Sequence, residues 1–141
     1  MATVLLIDDD QTVGKYTAEC ITSGLHSVDW IRKDYWQEAG AAVAGAANTI
    51  WDILVLDVHY PTDHWGGLWL YNDLKRKGLR GRWKHTIVFS CYVQPNLDRA
   101  TEGEALVLRA FLDTANIPIE CALPNRDFNR ADLLDAIRRL A

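Results

Sequence analysis

Three short apolar runs in this sequence each end at a residue that can bind a cation or handle phosphate. The runs and the residues that follow them are Val4–Ile7 with Asp8, Asp9 and Asp10, Ile53–Leu56 with Asp57, and Ile87–Phe89 with Ser90. Continuous branched runs of this kind indicate strands buried on both faces, as in a parallel sheet. Because ligands bind at the carboxyl ends of such strands, we expect these side chains to converge on one edge. Clustered carboxylates repel one another unless a cation lies among them, and oxygen ligands favour Mg²⁺.

The elements that must position these residues alternate between strand and helix along the whole chain. The predicted strands are residues 2–7, 26–32, 52–57, 85–90 and 117–123. The predicted helices are residues 11–24, 34–47, 68–77, 98–115 and a last helix capped by Asn129. Five such units indicate an α/β fold, a doubly wound five-stranded parallel sheet with helices on both faces.

Composition narrows the class of protein further. With 141 residues, of which 49% are hydrophobic and 24% charged, the chain is typical of a single domain with one ample core. A net charge of -4 without a basic stripe argues against a nucleic-acid surface. The three cysteines lack metal-type spacing and predict a reducing, cytoplasmic location. No apolar run approaches membrane-spanning length, so we expect no membrane partner.

The arrangement resembles the receiver domain of bacterial two-component response regulators, which are CheY-like proteins. The residues that carry the resemblance are the acidic group Asp8-Asp9, Asp57, Ser90 and the closing segment Arg126-Asp127-Phe128. The resemblance covers residues 1–141 as a single receiver domain. It implies the flavodoxin-like strand order 2-1-3-4-5.

The resemblance also implies a role for each site residue. Asp57 would accept a phosphoryl group from a histidine kinase or phosphotransfer protein, and Ser90 would be the switch hydroxyl. Mg²⁺ would be held by Asp8, Asp9, Asp57 and the backbone carbonyl of His59. Such a domain catalyses only its own phosphorylation and dephosphorylation, so it is not otherwise an enzyme, and no organic cofactor is expected.

Two departures from the family pattern bear on signalling. Arg126 stands where the family has a lysine; arginine keeps the charge but not the compact ammonium. The stretch at about 91–116 is longer than usual, which predicts an enlarged helix-four region. In the family, helix four, strand five and helix five form the output face, so a downstream protein target is expected there. The resemblance is also compatible with a homodimer.

Two other functions compete with a stand-alone phosphorylated receiver. The first is a pseudo-receiver, the same fold used as a phosphorylation-independent protein-binding module; Arg126 favours it and the acidic residues oppose it. The second follows from Asp8-Asp9-Asp10-Gln11-Thr12, which resembles the D-x-D-x-T motif of haloacid-dehalogenase phosphatases. There Asp8 would be the nucleophile and Asp10 the general acid/base, but Asp57 would have no role.

Overall fold

The computed structural model describes residues 1–46, 48–125 and 130–141. The strands are β1 (Thr3–Ile7), β2 (Ser27–Ile31), β3 (Trp51–Leu56), β4 (Trp83–Ser90) and β5 (Ala122–Pro124). The helices are α1 (Gln11–Ser23), α2 (Trp36–Gly45), α3 (Gly66–Arg76), α4 (Gly103–Ala115) and α5 (Arg130–Leu140). The strands form one parallel sheet in the order β2-β1-β3-β4-β5. The predicted fold class and strand order are therefore confirmed.

Each face of the sheet carries its own hydrophobic core. Successive side chains of a strand point to opposite faces, so Leu5 and Ile7 pack on one side and Val4 and Leu6 on the other. Helices α2, α3 and α4 cover the first face, and α1 and α5 cover the second. This two-sided burial explains why the runs in β1 and β3 are continuously apolar.

Helix α4 is shorter than the sequence predicted. It begins at Gly103, five residues after the predicted start at Asp98, because Leu97–Arg99 forms a 3₁₀ turn and Ala100 returns to extended backbone. Gly103 has a φ of +67°, a left-handed conformation that glycine adopts without strain. The stretch after Ser90 is therefore a mostly irregular connection, residues 91–102, that precedes helix α4.

Strand β5 is also shorter than predicted. The chain from Ile117 does not pair with the sheet at once: Pro118 has no N–H to donate, and Ile119–Cys121 forms a 3₁₀ turn. Pairing with β4 is limited to three residues, of which Ala122 aligns with Val88. The predicted cap Asn129 lies outside the described residues. Within the described ranges, none of the helices has the length and apolar character needed to cross a bilayer.

Candidate functional site

Three carboxylates meet at the carboxyl edge of the sheet. Strands β1 and β3 are neighbours, and the Asp57 N–H donates to the Ile7 carbonyl at 2.9 Å, which continues their pairing past the strand ends. As a result, carboxylate oxygens of Asp8, Asp9 and Asp57 all lie within 4.8 Å of one another. The structure brings together the three acidic side chains that the sequence placed on one edge.

Burial makes this acidic cluster electrostatically unfavourable when it is fully charged. Burial raises the pKa of Asp57 to about 10, and the negative charges of Asp8 and Asp9 add to the rise. Burial also raises the pKa of Asp8 to about 7, although a hydrogen bond from the Asp10 N–H opposes the shift. Asp8 and Asp57 interact strongly, so the two carboxyl groups titrate as a coupled pair and not independently. A cation bound among the three carboxylates would oppose both upward shifts, because it favours the ionised forms.

The donor set fits a hard divalent cation. The Asp8 Oδ1 atom accepts the Asp10 N–H at 2.9 Å, but Oδ2 is buried without a hydrogen-bond partner. A buried carboxylate oxygen without a partner is unfavourable unless something else binds it. All three side chains offer oxygen alone, which is the ligand type that Mg²⁺ prefers. These residues therefore fit the predicted Mg²⁺ site.

Asp10 has a different task from its two acidic neighbours. Its exposed side chain caps helix α1, accepting the N–H groups of Thr12 and Val13, both at 2.9 Å. It does not belong to the cluster of Asp8, Asp9 and Asp57. A phosphatase of the D-x-D-x-T type needs Asp10 as an acid beside its nucleophile, so this geometry disfavours that alternative.

Ser90 ends strand β4 beside the acidic edge. Its side chain is fully buried, and its hydroxyl accepts the Tyr92 N–H at 3.0 Å. Its carbonyl accepts the Asn125 N–H at 3.2 Å, which ties β4 to the segment after β5. A hydroxyl in this position sets the conformation of the loop that follows it, because turning it away would release the Tyr92 backbone.

Aromatic side chains join the two loops that flank the site. The Tyr92 and Trp65 rings pack with centroids 4.7 Å apart, and Tyr92 Oη lies 3.3 Å from His64 Nδ1. His64 also contacts the ring of His59 edge-on, with centroids 5.2 Å apart. The loop after β3 and the loop after β4 are therefore in direct side-chain contact.

The roles of two predicted site residues, His59 and Arg126, stay predictions. His59 is half-buried two residues after Asp57, and its carbonyl stays a predicted metal ligand. Arg126, predicted in place of the usual lysine, lies outside the described residues. Among residues 1–46, 48–125 and 130–141, no lysine or arginine forms an ion pair with the acidic cluster. Within that part of the chain, backbone N–H groups such as that of Asp10 oppose the cluster's negative charge without a cationic side chain paired to it.

Two residues at the site were missed by the sequence analysis. The indole of Trp30 donates from Nε1 to the Asp8 carbonyl at 3.0 Å and so holds the acidic loop from strand β2. Tyr60, three residues after Asp57, is buried with a hydroxyl that has no hydrogen-bond partner. The position of Tyr60 close to Asp57 in the sequence was a usable signal, whereas the Trp30 contact depends on tertiary packing.

Gly67 allows helix α3 to start directly against the end of strand β3. Its N–H donates to the Val58 carbonyl at 2.7 Å, and a Cβ there would lie 2.2 Å from the Asp57 carbonyl oxygen. We expect Gly67→Ala to lower the free energy of unfolding by about 2–3 kcal/mol, because backbone atoms must shift. Gly45→Ala, where a Cβ meets nothing within 4 Å, is the matched control. Equal stabilities of the two variants in urea unfolding would contradict this account.

No protein-family model matches the chain, and no curated protein matches it either. Solved structures do match. The chemotaxis protein CheY4 of Vibrio cholerae is 16% identical, with a TM-score of 0.70 over 100% of this chain and 99% of that one. A CheY-like receiver domain protein of Methanospirillum hungatei is 19% identical, with a TM-score of 0.67 over 99% and 92% of the two chains.

A third match is described as the BeF₃-activated receiver domain of DrrB. It is 18% identical, with a TM-score of 0.63 over 99% of this chain and 97% of that one. Because these alignments span the whole chain and agree with the strand order observed here, this protein has the CheY-like receiver-domain fold. At such low identity the likeness concerns the fold, and function must be argued from the site.

Proposed function

We propose that this protein is a response regulator receiver that accepts a phosphoryl group on Asp57 with the help of Mg²⁺. The observation that carries the proposal is the cluster of Asp8, Asp9 and Asp57, with Asp8 and Asp57 buried, at the carboxyl edge of a receiver-fold sheet. Two buried carboxylates beside a half-buried third are unfavourable in a purely structural role, since each desolvated charge destabilises the folded state.

The proposed transfer uses Asp57 as the nucleophile. A carboxylate oxygen of Asp57 attacks the phosphorus, the bond from phosphorus to the donor histidine nitrogen breaks, and its electron pair leaves with the imidazole. A bound Mg²⁺ would neutralise the charge that builds up between the two anionic partners. Asp8 and Asp9 would hold that ion, with the His59 carbonyl as a further ligand.

The acyl phosphate would then change the loops beside the site. It places new negative charge near Ser90, whose hydroxyl is engaged by the Tyr92 N–H in this structure. If the hydroxyl turns to the phosphoryl oxygens, Tyr92 must adjust, and its contacts carry the change to Trp65 and His64. Phosphorylation and the movement of the two loops would therefore be coupled by direct side-chain contacts.

The partners of such a receiver are proteins. A histidine kinase or phosphotransfer protein would supply the phosphoryl group in the cytoplasm. The expected output surface, formed by α4, β5 and α5, carries exposed apolar side chains at Leu106 and Val107 of α4 and at Ile119 just before β5. Apolar side chains exposed on a surface are suited to contact a protein target.

Intact-mass spectrometry tests the proposed transfer. The protein is incubated with acetyl phosphate and Mg²⁺, and we expect one phosphoryl adduct that is absent without the metal. A folded protein that shows no adduct and no beryllofluoride binding would contradict the proposal. That result would favour the pseudo-receiver, a binding module that does not depend on phosphorylation.

Asp9 is expected to dominate the affinity for the ion. We expect Asp9→Asn to weaken Mg²⁺ binding by roughly 100-fold, since even residues that only support a ligand contribute 10–100-fold. Isothermal titration calorimetry measures this directly. Asp10→Asn removes the same charge one residue away while keeping an oxygen that caps α1, and it should bind Mg²⁺ almost normally. Equal losses in the two variants would mean that overall charge, not ligation, sets the affinity.

A further inference from the structure

Tyr60, in the loop after strand β3, combines a buried side chain with an unpaired hydroxyl. The side chain is 1% exposed, and its hydroxyl has no hydrogen-bond partner. It is among the largest fully buried side chains in the described part of the chain. Its ring is fixed against Gly66, where a Cβ would lie 2.7 Å from the ring atom Cδ2. The tyrosine is therefore held in the layer of loops over the strand ends.

An unpartnered buried hydroxyl needs a physical explanation. Burying a donor without an acceptor destabilises the folded state, and native proteins contain few such groups. In the described part of the chain, the other buried side-chain atom without a partner is Asp8 Oδ2, in the acidic cluster itself. Both unsatisfied atoms thus belong to residues at the same edge of the sheet, as expected if one bound ligand interacts with both.

Tyr60 lies in the loop that leads away from Asp57, where its backbone exchanges hydrogen bonds with that of Asp63 at 3.0 and 3.1 Å. Burial raises the pKa of Tyr60 above its ordinary value, and the negative charges of Asp9, Asp57 and Asp8 raise it further. A neutral hydroxyl near several carboxylates can act as a donor without adding charge.

We propose that Tyr60 is a positioning residue of the cation site, whose hydroxyl donates a hydrogen bond to the oxygen ligands when Mg²⁺ is bound. This inference rests on the cation site proposed above. The acceptor is a carboxylate oxygen of the cluster or a water molecule on the ion. Hydrogen bonds to metal ligands fix their orientation and strengthen binding, which is the contribution assigned here to Tyr60.

The competing explanation is a purely structural tyrosine that contacts water in both states of the site. The two explanations predict different effects of removing the hydroxyl on stability and on Mg²⁺ affinity. If the hydroxyl serves the bound ion, removing it relieves the metal-free protein of an unsatisfied group and at the same time weakens Mg²⁺ binding. A structural hydroxyl would affect the stability of the fold and leave the affinity for Mg²⁺ unchanged.

The test is Tyr60→Phe, which keeps the ring against Gly66. We expect Mg²⁺ affinity, measured by isothermal titration calorimetry, to fall about tenfold. The melting temperature of the metal-free variant should be equal to or above that of the wild type. Tyr71→Phe, on helix α3, is the matched control. Tyr71 is also buried, but its hydroxyl accepts a hydrogen bond from Arg80 Nε at 3.0 Å. The control should lower the melting temperature and leave Mg²⁺ affinity unchanged.

The outcomes separate this inference from the proposed function. Wild-type protein that does not bind Mg²⁺ would remove the cation site and with it the role of Tyr60. Wild-type binding with unchanged affinity in Tyr60→Phe would overturn the inference alone. If Tyr60→Phe does not fold, Tyr60→Met provides a flexible replacement without a hydroxyl, and the same tenfold loss is expected.

Discussion

Asp57→Asn is expected to abolish the phosphoryl adduct completely while leaving the fold intact. The amide is almost the same size as the carboxylate, so the packing at the end of β3 should be preserved. An amide oxygen, however, is too weak a nucleophile to attack phosphorus. Incubation with acetyl phosphate and Mg²⁺, followed by intact-mass spectrometry, should show one adduct on the wild type and none on the variant.

Asp52→Asn provides a control on the same strand. Asp52 is partly buried at the opposite end of β3, where its carboxylate accepts from the N–H and hydroxyl of Thr3. Its distance from the carboxyl edge means that it should have no role in the transfer, and this variant should keep the adduct. An adduct on Asp57→Asn would assign the acceptor to another residue, and peptide mapping would then identify that residue.

The parts of the fold that the sequence predicted well are those governed by burial on both faces. β1 and β3 are continuous apolar runs, and their ends place Asp8 and Asp57 on one edge by the geometry of parallel strands. The convergence of the acidic residues therefore followed from periodicity and topology alone. No detail of side-chain packing was needed to predict it.

Local backbone conformation and loop packing were harder to predict. Helix α4 starts at Gly103 because a 3₁₀ turn and a left-handed glycine intervene, and neither leaves a periodic signal. Strand β5 is short because Pro118 and a second 3₁₀ turn precede it. The burial of Tyr60 depends on the space left by Gly66, which is a property of the folded loop. Patterns of hydrophobicity do not identify residues whose roles depend on such contacts.

The acidic cluster should also make the stability of the metal-free protein fall as pH rises. The ordinary pKa of an aspartate is 3.8, but in the folded protein burial raises the pKa of Asp57 to about 10 and that of Asp8 to about 7. The folded state then holds protons that the unfolded state has released. Stability is therefore fully present below about pH 4 and is lost progressively as pH rises through the folded values.

The expected loss is large enough to measure. Each proton held only by the folded state gives a slope of about 1.4 kcal/mol per pH unit, so Asp57 alone should lower the free energy of unfolding by about 4 kcal/mol between pH 5 and 8, and Asp8 adds to the fall below about pH 7. Burial lowers the pKa of His26, which gives an opposite slope at the acid end. Asp57→Asn keeps His26, so the difference between the two proteins isolates the cluster.

Saturating Mg²⁺ completes the experiment, because a bound cation favours the ionised carboxylates in the folded state. Urea unfolding of the wild type and Asp57→Asn at several pH values, with and without Mg²⁺, measures the effect. We expect a steep decline in stability with pH only for the metal-free wild type; Asp57→Asn should be flatter and more stable at pH 8. Parallel profiles for the two metal-free proteins, or a wild-type profile that Mg²⁺ leaves unchanged, would mean that the carboxylates are not strained. In that case, the electrostatic basis of the cation site would have to be abandoned, because strained carboxylates are what make metal binding favourable.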